Sequence, residues 1–245
     1  MTICAFPLYV LKRQKLGVCV STLTAMLIFI AFLACVAFQA VKNFQLRNLN
    51  VSLRKKDYDM VERLAGMATS RRFLGDYTCD LYQLRARYLK KEAAPFEEML
   101  QHMVAAPYKN LADKKSFLEQ YYHSFLIQGK RTYAEWLLDG IRQNQDAVYI
   151  KYSEQALAVM LDHRTDLIDE MIDEINGKQY YGFALGVILF MIAKQYEALG
   201  NGEKAALYYQ NAQVCFHPQA VYVPLLQSKL KQMEDAGLLN KEAHA

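Results

Sequence analysis

Cysteine is scarce and poorly placed for a framework. The chain has five among 245 residues. Cys4, Cys19 and Cys35 fall before or inside a long apolar run, and only Cys79 and Cys215 lie beyond it. Two distant thiols exclude a disulfide-stapled scaffold or a Cys-based zinc site, and read as small buried side chains. Sustained alternation of apolar and polar residues is also missing, which excludes a sheet protein. There is no HExxH and no Glu-x-x-His spacing for a di-iron site. Gly200-Asn201-Gly202-Glu203-Lys204 lacks the spacing of a phosphate loop and follows no strand, so it reads as a turn. No Ser/His/Asp or Cys/His order stands out. The net charge of +4 is too small to argue for nucleic acid.

One stretch lacks charge altogether. Between Lys15 and Lys42 there is no Asp, Glu, Lys, Arg or His, and the centre reads MLIFIAFLACVAF. As a helix, Leu16 to Val41 reaches about 39 Å, enough for a hydrocarbon core of about 30 Å with some tilt. The run is too long for the apolar part of a signal peptide, and no A-x-A site lies near its end. Phe32-Leu33-Ala34-Cys35 matches a lipobox only loosely. The expectation is an uncleaved single-pass anchor in the lipid bilayer.

The flanks point both ways on orientation. Lys12, Arg13 and Lys15 precede the run; Lys42, Arg47, Arg54, Lys55 and Lys56 lie after it. The positive-inside count leans toward a cytoplasmic carboxyl-terminal domain, whereas a short basic amino terminus resists translocation. The sequence leaves the side open. Gly17, Ser21 and Ala25 place small residues on one face of the anchor, a pattern that permits close helix contact and a homo- or hetero-oligomer.

The remainder of the chain is polar, Tyr-rich and patterned for helices. Lys42 to Lys91 is basic, which suits anionic headgroups. The membrane helix is expected to continue through Gln39 to Leu53, which holds no Pro or Gly. Lys55-Lys56-Asp57-Tyr58 then makes a turn. Apolar spacing predicts helices over 81–88, from Pro95 through Met103, and around Leu118, Tyr121, Tyr122 and Phe125. Further helices are expected around Ala134 to Ile141 and over 149–161, 167–175, 183–199, 203–214 and 221–236. Asp162, Asp166, Asp169, Glu170, Asp173 and Glu174 predict an acidic exposed face. The pairs Glu98/His102 and Glu119/His123 share helical faces, but neither brings the three or four ligands that a metal needs.

The last clear helical pair carries a resemblance. Tyr196, Leu199-Gly200, Ala205, Tyr209 and Ala212 resemble the tetratricopeptide repeat signature: two alanines let helices cross closely, and Tyr209 fills the gap beside them. Leu189 stands where that family has Trp, Ala193 where it has Gly, and Pro218 falls one residue late. The same frame fits Leu118, Tyr121, Phe125, Gly129, Ala134 and Leu138 moderately, and other regions weakly.

The expectation is an all-α chain: a basic segment (1–15) and a transmembrane helix (16–41) from composition, then, as the resemblance implies, a tetratricopeptide-like solenoid of about four or five helical pairs (42–236), and a tail (237–245). It further implies that the first helix of each pair lines an inner groove that binds a protein partner. Its outward positions would be Ser116, Glu119 and His123 in one unit, Tyr149, Tyr152 and Ala156 in the next, and Phe190, Lys194 and Glu197 in the last. The functional expectation is a membrane-anchored scaffold, an assembly factor or accessory subunit of a larger membrane complex, rather than an enzyme. No catalytic, metal or cofactor residues are assigned. The alternative is a structural subunit docked mainly through its membrane helix, with the repeats as a spacer.

Overall fold

The computed structural model describes residues 22–143 and 146–239. They form twelve α-helices and no strand. The chain divides into two compact units, Met1–Gly75 and Asp76–Ala245.

The first unit is built on α1 (Thr22–Arg54), which runs unbroken from the apolar stretch into polar sequence, as expected. No residue within it can stop a helix. Its apolar half is long enough to cross a membrane, and none of that window is buried. Met26, Phe29, Phe32 and Phe38 are 47–61% exposed. Lys56, in the left-handed region, turns the chain, and Asp57 caps α2 (Tyr58–Gly66) by accepting from the Met60 N–H at 3.1 Å. The short α3 (Ala68–Leu74) comes directly after it. Leu49, Val61, Ala65 and Leu74 are buried, the Ser70 hydroxyl donates to Gln45 at 3.2 Å, and the Phe38 and Phe73 rings lie 5.2 Å apart. These contacts put the division of the chain at Gly75, whereas the composition of the sequence suggests a boundary between residues 41 and 42.

The second unit contains α4 (Asp76–Lys90), α5 (Ala93–Ala105), α6 (Leu111–Ile127), α7 (Arg131–Arg142), α8 (Ala147–Met160), α9 (Ile168–Asn176), α10 (Gly182–Ala198), α11 (Gly202–Cys215) and α12 (Val223–Asp235). Side chains that free backbone N–H groups require mark the starts: Asn110 for α6, Asp146 for α8 and Asn201 for α11 each accept from the first turn. Pro95 sits in the first turn of α5, where its missing N–H costs nothing. Gly129 and Gly200, both at positive φ, end α6 and α10.

Neighbouring helices pack as α4 on α5, α6 on α7, α7 on α8, α9 on α10, α10 on α11 and α11 on α12, and three pack on the next but one: α5 on α7, α6 on α8, and α8 on α10. One apolar core runs through the unit, from Leu84 to Met233. The α10–α11 pair is the closest. Ala205, Tyr209 and Ala212 are fully buried there, and the Tyr209 ring meets Phe190 at 5.2 Å. Gly186 lies so near Phe216 that a methyl group on it would come within 2.7 Å of that ring.

Candidate functional site

The residues expected in an inner groove separate into two sets. Ser116 is exposed on α6, and Glu119 one turn later is half-buried. Both line a depression of about 250 Å³ with Phe183 and Val221. Lys194 and Glu197 on α10 line a different one, about 200 Å³, with Lys229 of α12. Glu197 accepts from Lys229 at 2.6 Å and from the Tyr209 hydroxyl at 2.8 Å. Burial raises the Glu197 pKa, but these bonds outweigh it and hold the carboxyl below its usual range. Burial pushes the Lys194 ammonium down.

The others are core residues. His123 and Phe190 are fully buried, and Tyr149 and Tyr152 nearly so. Ala156 is fully buried as well. These positions therefore do not face outward. The physical reason is that α6, α8 and α10 each have neighbours on more than one side, so the buried arc is wider than one stripe. His123 Nδ1 lies 2.8 Å from the Tyr222 hydroxyl, its ring stacks on Tyr152, and Nε2 has no hydrogen-bond partner. Glu119 accepts from the Tyr152 hydroxyl, so the Glu119/His123 pair is divided between two tyrosines.

One further expectation changes, at Glu174. Glu174 does not join the exposed acidic face: it is buried and accepts from Gln155, Tyr180 and Lys151. His102 faces Asp80, 3.4 Å away, across to α4. Of the small residues in the anchor, Ala25 is exposed on α1, while Gly17 and Ser21 lie outside the described residues.

Sequence reasoning missed an aromatic surface feature. It lies where the α4–α5 turn approaches the α6–α7 turn. A depression of about 350 Å³ is lined by Arg87, Tyr88, Leu89, Lys91, Glu92, Ala93, Phe96, Lys130 and Tyr133. Tyr133 and Lys130 also border a second hollow, with Glu97 and Arg131. Tyr88 borders a third, with Arg85, Tyr121 and Phe125. The three form one trough with two tyrosines as ridges. Phe96 is its floor, with the Tyr88 and Tyr133 rings each 5.4 Å away.

The anions of the trough are engaged. Glu92 pairs with Lys90 at 3.0 Å, and Glu97 accepts from the Tyr133 hydroxyl at 2.8 Å, which raises the phenol's pKa. Arg85 bonds the Tyr121 phenol, Arg87 donates to the Pro95 carbonyl, and Arg131 pairs with Asp162 and Glu135. The ammonium groups of Lys91 and Lys130 have no hydrogen-bond or ion-pair partner among the described residues. The available signal was the basic run Arg85, Arg87, Lys90 and Lys91 interleaved with Tyr88 and Leu89.

The chain is an all-helical protein with one long apolar helix near its amino terminus. Comparisons with models of known protein families, with curated proteins and with solved structures return no match.

Proposed function

We propose that this chain is a single-pass membrane protein whose second unit binds a partner protein at the membrane surface. One observation carries the reading. The apolar half of α1 is exposed on every side, and the helix continues without a break into a folded unit. Burying such a cylinder is favourable at about 25 cal/mol per Å² of apolar surface, and lipid supplies that burial. Tethering raises the effective concentration of the second unit for anything else in the same membrane. The packing of helices on their next-but-one neighbours supports a solenoid of helical pairs, α4–α5 through α10–α11 with α12 at the end, in the manner of tetratricopeptide repeats. The role is that of a scaffold, an assembly factor or accessory subunit.

The test exchanges residues 1–41 for an unrelated single-pass helix. Under this reading both proteins stay in the membrane fraction after alkaline carbonate, and the exchanged chain cross-links to the same partner. Release of the native chain by carbonate would overturn the anchor. Loss of the cross-link on exchange would mean that docking runs through the membrane helix, with Ala25 on the contacting face.

A further inference from the structure

Two cations with no counter-ion among the described residues flank an open aromatic pocket in the second unit. Tyr88 and Leu89 are 45% and 46% exposed at its edge, while Phe96 beneath them is 3% exposed. The apolar surface that a ligand can cover in this pocket belongs to Tyr88 and Leu89. Its volume, about 350 Å³, falls in the range of built ligand pockets and has room for one large apolar side chain with its flanking backbone. Charge decides what flanks that side chain. Every lining carboxylate already has a partner, and so do Arg85, Arg87 and Arg131. The ammonium groups of Lys91 and Lys130 are left over, on opposite sides of Phe96 in the sequence and at the mouth of the same depression.

We infer that this trough takes a short acidic peptide segment of the partner, one apolar side chain on Phe96 between Tyr88 and Tyr133, with carboxylates on Lys91 and Lys130. This rests on the scaffold reading and names the chemistry of its ligand. The apolar side chain supplies affinity by covering the exposed faces of Tyr88 and Leu89 above Phe96, and the rim charges supply orientation and rejection of basic segments. Tyr88 and Tyr133 are suitable walls because each is already fixed by its hydroxyl, to Gln128 at 3.1 Å and to Glu97 at 2.8 Å, so little side-chain freedom is lost on binding. A lipid surface is the competing occupant for a basic, aromatic patch. Concavity favours the peptide, since a flat headgroup layer would not reach down to Phe96.

The experiment uses the full chain in phosphatidylcholine nanodiscs. The probe is a fluorescent hexapeptide with two glutamates on each side of a leucine and a phenylalanine. It is expected to bind, and to weaken about five- to thirtyfold in Lys91→Glu/Lys130→Glu, which removes two rim pairs without touching the core. Peptides with lysines for the glutamates, or serines for the apolar residues, are expected not to bind. Lys91→Gly is a folding control: Lys91 has φ +62°, where glycine is favoured, so its unfolding midpoint should hold or rise while binding falls. Equal binding of the lysine peptide, unchanged binding by the double variant, or no binding at millimolar peptide would overturn the assignment. Displacement of bound peptide when phosphatidylserine is added to the nanodisc would overturn it in favour of the membrane. The double variant also separates two failures. If it abolishes neither peptide binding nor the cross-link of the anchor-exchanged chain, the trough is wrong and the scaffold stands. If no cross-link forms in any chain, the scaffold reading falls as well.

Discussion

His123 shows how burial reverses the role a residue type suggests. The imidazole is enclosed by Tyr152, Phe183 and Tyr222, and burial pushes its pKa from 6.5 down to about 3. Between those values the unfolded chain binds a proton that the folded chain refuses. The stability from this source is therefore complete above pH 6.5 and is lost as pH falls toward 3. From pH 7 to pH 5 the full chain should lose about 2 kcal/mol of unfolding free energy, a window above the usual carboxylate titrations. Urea unfolding against pH in micelles reads this, and His123→Phe should flatten the slope. An identical slope in the variant would show that another group titrates. Glu174 behaves oppositely. Burial raises its pKa, but bonds from Lys151, Tyr180 and Gln155 outweigh this and hold it low. Glu174→Ala strands buried donors on Gln155 and Tyr180, and should cost about 2–3 kcal/mol at pH 7 in the same assay. Neither environment was legible in sequence. A His four residues after Glu119, or a Glu in an acidic run, looks like a solvated face until the neighbouring helices are known.

The helices of the second unit were legible because their signals are local. Asn201 before Gly202, Pro95 in a first turn, and Gly129 and Gly200 at the ends mark boundaries by backbone chemistry alone. Which face turned inward was legible where one side was plainly small, as at Ala205 and Ala212, and failed for α6, α8 and α10, which are covered on more than one side. The trough was illegible for a related reason: Tyr88 and Tyr133 are far apart in the sequence and are brought together by the rings of Phe96 and Phe125. Two substitutions test the elements by thermal melting. Gly186→Ala on α10 pushes a methyl into the Phe216 ring, and should cost about 1–3 kcal/mol. Asn201→Ala removes the bond to the Lys204 N–H at 3.1 Å and should cost about 1 kcal/mol. A neutral Gly186→Ala would mean that the α10–α11 pair accommodates the methyl by moving apart.

At the scale of the molecule, the apolar run was the plainest statement in the sequence, and the division at Gly75 was hidden. It depends on α2 and α3 folding back onto α1, through Leu49, Gln45 and Phe38, which no periodicity announces. The side of the membrane is open to a direct measurement. A reporter active only in the cytoplasm, fused after Ala245, should be active if the basic residues from Lys42 to Lys56 are retained inside. A silent reporter on intact, carbonate-resistant protein would put the second unit on the other side.

The unbroken helix has a mechanical consequence. α1 has 33 residues and is about 50 Å long, and its last dozen, beyond Lys42, stand about 18 Å clear of the uncharged stretch. On the proposed anchor reading, with α2 and α3 packed on that end, the first unit is a crank whose axle lies in the bilayer. A change of about 10° in axle tilt swings Arg54 by about 3 Å, and a rotation about the axis carries Phe73 and Leu74 around with it. On that reading a change in bilayer thickness, or a neighbouring membrane helix leaning on α1, becomes displacement at the other end of the helix, which is continuous from Thr22 to Arg54.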